Sequence, residues 1–101
     1  MLASVIMPTY NSLDILRHSL PAILNQSLDP SFSYELVLID DGSDLKTKNF
    51  LKSIKNSKLK LVTLEKNSGR SIARNRGIKE AQGEVLVFLD SDVVADPHLI
   101  Q

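Results

Sequence analysis

Cysteine and tryptophan are absent from this chain. Without cysteine there is no disulfide framework and no thiolate metal centre, and the redox compartment leaves no trace. Net charge is missing too. Twelve Lys and Arg offset twelve Asp and Glu, so no global field draws in nucleic acid or an anionic membrane. No apolar run approaches the roughly 18–20 residues that span a bilayer. The opening MLASVIMPTYN has no basic segment ahead of its apolar stretch, which Pro8 and Asn11 interrupt, so it reads as a strand and not as a signal peptide. A soluble, cytoplasmic chain is expected. Internal repeats and low-complexity tracts are also lacking. The lysine-rich KTKNFLKSIKNSKLK carries periodic apolar residues and reads as a solvated helix face.

What is present is the material for one small domain. A chain of 101 residues buries roughly two-thirds of the surface that its unfolded form exposes. Four short apolar runs stand out at 3–7, 34–40, 59–65 and 84–90. Three are nearly continuous at their centres, as in strands covered on both faces. LKLVTLE alternates more and suits a position nearer an edge. Helical spacing fills the gaps, over 12–26, 44–56 and 70–81. Asn11 or Ser12, Ser43, and Asn67 or Ser68 are the expected caps. Gly83 is a natural stop. Pro21 lacks the N–H that would bond back to Arg17, so a kink or break is expected there. Strands alternating with helices imply a parallel sheet with right-handed crossovers. In such sheets ligands bind beyond the carboxyl ends of the strands, where strand order reverses.

Those ends read PTYN, DDGS, KNSGR and DSDV. Asp90 and Asp92 point the same way on an extended strand. At ~6 Å and an effective dielectric near 20 they repel by roughly 3 kcal/mol. A divalent cation removes that cost, and oxygen ligands of this kind favour Mg2+ or Mn2+. With one or two carboxylates supplied, the metal keeps positions for water or phosphate oxygens, which suits a metal–diphosphate site. Taken alone, the two acids are better read as plain loop acids, one of them capping the segment VVADPHLI, because Asp-x-Asp is too common to carry a function. At the second strand end, Gly42 and Ser43 fit a turn and cap, but that does not explain the adjacent Asp40 and Asp41. A carboxylate there can accept the ring N–H of a pyrimidine. Tyr10 can stack on a base or pack at the rim. Arg70 can face a diphosphate or only solvent, and Arg74 and Arg76 are more ambiguous. Gly69 and Gly77 allow close backbone approach, or mark a turn and a tight helix–sheet contact.

In order and spacing, VIMPTYN, VLIDDGS, NSGRSIARNRGI and GEVLVFLDSDV resemble the family 2 nucleotide-sugar glycosyltransferases of the inverting GT-A type. The resemblance covers residues 3–99. It implies a Rossmann-like GT-A sheet in a three-layer α/β/α arrangement, with strand order 3-2-1-4. It implies a nucleoside diphosphate sugar donor, most often a UDP-sugar, and a setting in polysaccharide or cell-envelope synthesis. Carried across, Pro8 and Tyr10 lie against the base, Asp40 bonds the uracil ring, and Arg70 approaches the base or phosphates. Asp90 contacts the ribose or sugar, and Asp92 holds the Mn2+ or Mg2+ that bridges the phosphates. Asp41 is assigned a structural or secondary role.

The resemblance further implies a catalytic base beyond Gln101. Asp96, His18 and His98 are not candidates for it. Residues 1–101 are therefore expected to be a truncated donor-binding half, inactive in transfer, with any membrane association residing in regions outside it. An uncovered fourth strand is expected to favour a homodimer through the sheet edge. The alternative is a non-catalytic nucleotide-binding or oligomerising fragment. Other α/β families fit less well. A receiver domain carries its acids after the first and third strands, and a dinucleotide-binding domain needs G-x-G-x-x-G after the first. A Walker loop is absent, and a sugar-nucleotidyltransferase would show a Gly-rich arginine loop after the first strand.

Overall fold

The computed structural model describes residues 2–11, 13–24 and 33–89. Strands and helices alternate along it: β1 Leu2–Thr9, α1 Leu13–Leu24, β2 Ser33–Asp41, α2 Leu45–Ser53, β3 Leu59–Leu64, α3 Arg70–Glu80 and β4 Val85–Phe88. The four strands form one parallel sheet in the order β3-β2-β1-β4. Strand order reverses between β1 and β4. LKLVTLE becomes an edge strand, in keeping with its alternation.

Alternation along the strands builds two cores. Val5, Met7, Leu36 and Leu38 face one way and pack with Leu16 and Leu20 of α1 and Leu51 of α2. Ile6, Val37 and Ile39 face the other way and pack with Ala73 of α3 and Val62 of β3. The result is the three-layer α/β/α arrangement. Fully burying one such aliphatic side chain contributes roughly 1.5–3 kcal/mol. On the α3 face contact is close, because a Cβ at Gly77 would lie 2.6 Å from Ile39 Cδ1 and Ile6 Cγ2. Gly77 thus marks a tight helix–sheet contact.

Pro8 sits in a central strand, normally a poor place for a residue without an N–H. The Leu2 and Ile6 carbonyls accept from the Glu84 and Leu89 N–H groups, so even positions of β1 turn their backbone polar groups toward β4. Pro8 lies past the last β1–β4 pair, Ile6↔Phe88. Its missing donor therefore costs no ladder bond.

Four expectations need correction. The α1 helix continues through Pro21 to Leu24. Burial of Leu16 and Leu20, with Leu24 packed against the same cluster, outweighs the single bond that proline forfeits. The α2 cap is Asp44, whose Oδ1 accepts the Thr47 N–H at 2.9 Å, and not Ser43, whose hydroxyl is engaged elsewhere. The α3 cap is Gly69, which has no side chain to accept a first-turn N–H. Finally, β4 is not covered on both faces, since Val85, Leu86 and Phe88 are exposed. Ser12, one of the two α1 cap candidates, lies outside the described residues.

Candidate nucleotide site at the strand ends

The carboxyl ends of β1 and β2 are locked together by short polar contacts. Asn11 adopts a left-handed backbone, φ 47, a conformation that asparagine tolerates better than most residues. Its N–H donates to Ser43 Oγ at 2.9 Å, and its Oδ1 accepts the Asp44 N–H at 2.7 Å. The β1–α1 turn is thereby clasped to the β2–α2 turn.

Adjacent in sequence, Asp40 and Asp41 point to opposite faces of the sheet. Asp40 faces the α1 and α2 layer. It is 1% exposed, and its Oδ1 accepts the Ser43 N–H at 3.1 Å. Its Oδ2 is buried and has no hydrogen-bond partner among the described residues. Asp41 faces the α3 layer, where Oδ1 accepts the Ser68 N–H at 2.8 Å and Oδ2 the Gly69 N–H at 3.0 Å. Asp41 therefore satisfies the backbone at the entry to α3 that no side chain caps locally. It also fixes the loop that presents Arg70. Gly42, between these acids and α2, has φ +74, and a Cβ there would meet Asn67 N and the Lys66 carbonyl carbon at 2.3 Å. The loop before α3 is pressed directly onto the β2 turn.

Thr9 is the residue that sequence reasoning missed. It is the register partner of Asp40, 3% exposed, and its Oγ1 is also buried without a partner among the described residues. The available signal was its alternation: Val5, Met7 and Thr9 share one face, so a hydroxyl continues an inward-facing series. Tyr10, the next residue, is 47% exposed at the rim.

The described structure thus brings Pro8, Tyr10, Asp40 and the loop leading into Arg70 to one end of the sheet. Asp90 and Asp92 lie outside the described residues. Arg74 turns toward β4, with its guanidinium 5.6 Å from the centre of the Phe88 ring. Arg76 pairs with Glu80 at 3.3 Å one turn along α3. Among the described residues there is no group of three or more His, Cys, Asp or Glu able to hold a metal. A cleft of about 420 Å³ opens between the starts of α1 and α2. Its lining includes two acids, Asp14 and Asp44, against one base, Lys46, so it is poorly suited to a diphosphate. Asp44 is itself held below the ordinary aspartate pKa, chiefly by the Thr47 N–H, then by the Thr47 side chain and the Lys46 charge.

A parallel sheet of this order, with helices on both faces and polar side chains gathered at the carboxyl ends of β1 and β2, is a Rossmann-like α/β fold of the GT-A kind. The chain belongs to glycosyl transferase family 2, whose model matches residues 4–101. It is 37% identical to a Bacillus subtilis protein described as the putative teichuronic acid biosynthesis glycosyltransferase TuaG, over 90% of this chain and 36% of that one. A crystal structure of S. aureus TarS in complex with UDP-GlcNAc superposes with a TM-score of 0.80 at 37% identity, covering 91% of this chain and 27% of that one. The mannosyltransferase PcManGT from Pyrobaculum calidifontis, in complex with GDP-Man and Mn2+, superposes with a TM-score of 0.76 at 28% identity, over 89% of this chain and 27% of that one. The chain spans between 12% and 36% of the length of curated relatives it matches. Among the described residues no helix is long and apolar enough to cross a membrane.

Proposed function

We propose that these residues are the nucleotide-sugar-binding part of a glycosyltransferase that uses a UDP-linked donor in cell-envelope polysaccharide synthesis. The observation that carries this reading is the buried Oδ2 of Asp40 at the carboxyl end of β2, which has no hydrogen-bond partner among the described residues. A buried carboxylate oxygen without a donor costs free energy, and a ring N–H supplies the missing donor. Uracil offers one at N3. The UDP-GlcNAc in TarS and the teichuronic acid assignment of TuaG support the donor and the setting.

In this reading Asp40 accepts the base N–H, Pro8 and Tyr10 lie against the base, and Arg70, at the first position of α3, faces the diphosphate. Asp90 reaches the ribose or sugar. Asp92, with Asp90, would hold Mn2+ or Mg2+, a proposal supported by the Mn2+ in PcManGT. When bound, that cation offsets the charge that develops on the departing diphosphate. No residue of this chain is assigned as the base that deprotonates the acceptor, so residues 1–101 are expected not to transfer sugar. A calorimetric titration of UDP with Mn2+, and again with EDTA, beside Asp92→Asn tests the assignment. Binding that needs the metal and is lost in the variant supports it. Metal-independent binding unchanged in Asp92→Asn overturns the metal role.

A second reading, association through the sheet edge, is favoured by the exposure of Val85, Leu86 and Phe88 on β4. Apolar edge strands recruit other chains. Light scattering at high concentration tests it, with a dimer mass expected and a monomer mass opposing it.

A further inference from the structure

We propose that the Thr9 hydroxyl is a second base-reading group, donating to one of the two carbonyls that flank the uracil N3–H. This rests on the reading of Asp40 given above. Thr9 and Asp40 are register partners on neighbouring central strands. Register partners in a parallel pair leave the sheet on the same face, so the two side chains stand side by side on the face of α1 and α2. Both are almost wholly buried, and each carries one polar atom without a partner among the described residues, Thr9 Oγ1 and Asp40 Oδ2.

Valine would occupy the same volume on a strand with no polar atom to satisfy, so a buried threonine hydroxyl without a partner is costly for the fold alone. Two such atoms side by side form an acceptor next to a donor. The Watson–Crick edge of uracil presents the complement, a central N–H with a carbonyl on each side. Asp40 Oδ2 takes the N–H, and the Thr9 O–H takes one neighbouring carbonyl. Neither group alone fixes the base in its plane, whereas the pair does. Sites built to bond a specific polar group discriminate strongly against ligands that lack it, because their own buried atoms are then left unpaired.

The competing role is purely internal, with the Thr9 hydroxyl turned onto Asp40 to orient the carboxylate. A residue–ligand cycle separates the two. UDP, 2-thio-UDP and 4-thio-UDP are titrated calorimetrically into wild type, Thr9→Val, Thr9→Ala and Thr9→Ser, with melting temperatures recorded for each. Two hydroxyl-free variants are used so that one that fails to fold does not decide the outcome. The expected result is a loss of about tenfold in UDP affinity on removing the hydroxyl, with Thr9→Ser retaining most of it. One of the two thio analogues, whose sulfur accepts poorly, should bind wild type more weakly than UDP and bind the hydroxyl-free variants as well as UDP does. Equal losses for all three ligands, or no loss, overturn the inference and leave the Asp40 reading standing. Failure of wild type to bind any of the three overturns both together.

Discussion

The Asp41 carboxylate accepts the Gly69 N–H at 3.0 Å across 28 residues of sequence, and its other oxygen takes the Ser68 N–H. The second acid of the DDGS motif is therefore a backbone clamp. It ties the end of β2 to the entry of α3 and so sets where Arg70 starts the helix.

Replacing Asp41 with alanine leaves two loop amides without that acceptor. Stability should fall by about 1.5–3 kcal/mol, the range for hydrogen bonds to a charged group, as read by urea unfolding. Asp41→Asn keeps one acceptor oxygen and should fall between. Nucleotide affinity should weaken in the same order, because the loop before Arg70 loosens.

Gly42→Ala should be more damaging than its size suggests. The left-handed backbone, φ +74, costs an ordinary residue about 1–3 kcal/mol, and the new methyl group would strike the backbone of Lys66 and Asn67. Neither the turn nor the loop can yield without breaking the Asp41 clamp. A drop in melting temperature larger than that of Asp41→Asn is expected.

At the opposite end of the sheet, Ser4 tests stability without the site. Its hydroxyl accepts the Gly83 N–H at 2.8 Å and donates to Glu35 Oε2 at 2.6 Å, and Glu35 Oε2 also accepts the Gln82 N–H. This network fixes the turn into β4. Ser4→Ala should cost about 1 kcal/mol for the half-buried partners it strands and leave UDP affinity unchanged.

Asp44 supplies an acid-sensitive increment. Its pKa is depressed in the folded state, first by the Thr47 N–H. Its stabilisation is therefore complete above the unfolded value, near 3.9 for aspartate, and is lost as pH falls through the lower folded value. Asp44→Asn keeps a competent cap but cannot titrate. Unfolding curves at pH 7 should nearly coincide for the two proteins, and those taken below about pH 4 should show the smaller acid loss in the variant.

Strand and helix order and the parallel sheet were legible because hydrophobic period is a local signal. The caps were less so. Ser43 and Asp44 are both good caps by type, and the choice fell to Asp44 because Asn11, 32 residues away from Ser43, claims the serine hydroxyl. Pro21 misled because the tertiary burial of Leu16 and Leu20 overrides a local defect. β4 reads as a covered strand because periodicity reports apolar content, not which neighbours cover it. Asp40 was visible as a candidate from its place in the motif. Thr9 was not, because alternation along β1 only turns its hydroxyl inward, and its pairing with Asp40 is a register relation that no linear pattern displays.

The central claim is that Asp40 reads a ring N–H, and its most direct test is calorimetric titration of UDP and of 3-methyl-UDP into wild type and Asp40→Asn. Wild type should bind UDP and reject the methylated base, and Asp40→Asn should lose about 10–100-fold in UDP affinity, the range for a hydrogen bond to a charged group. Equal binding of UDP and 3-methyl-UDP by wild type, with no change in Asp40→Asn, would contradict the account.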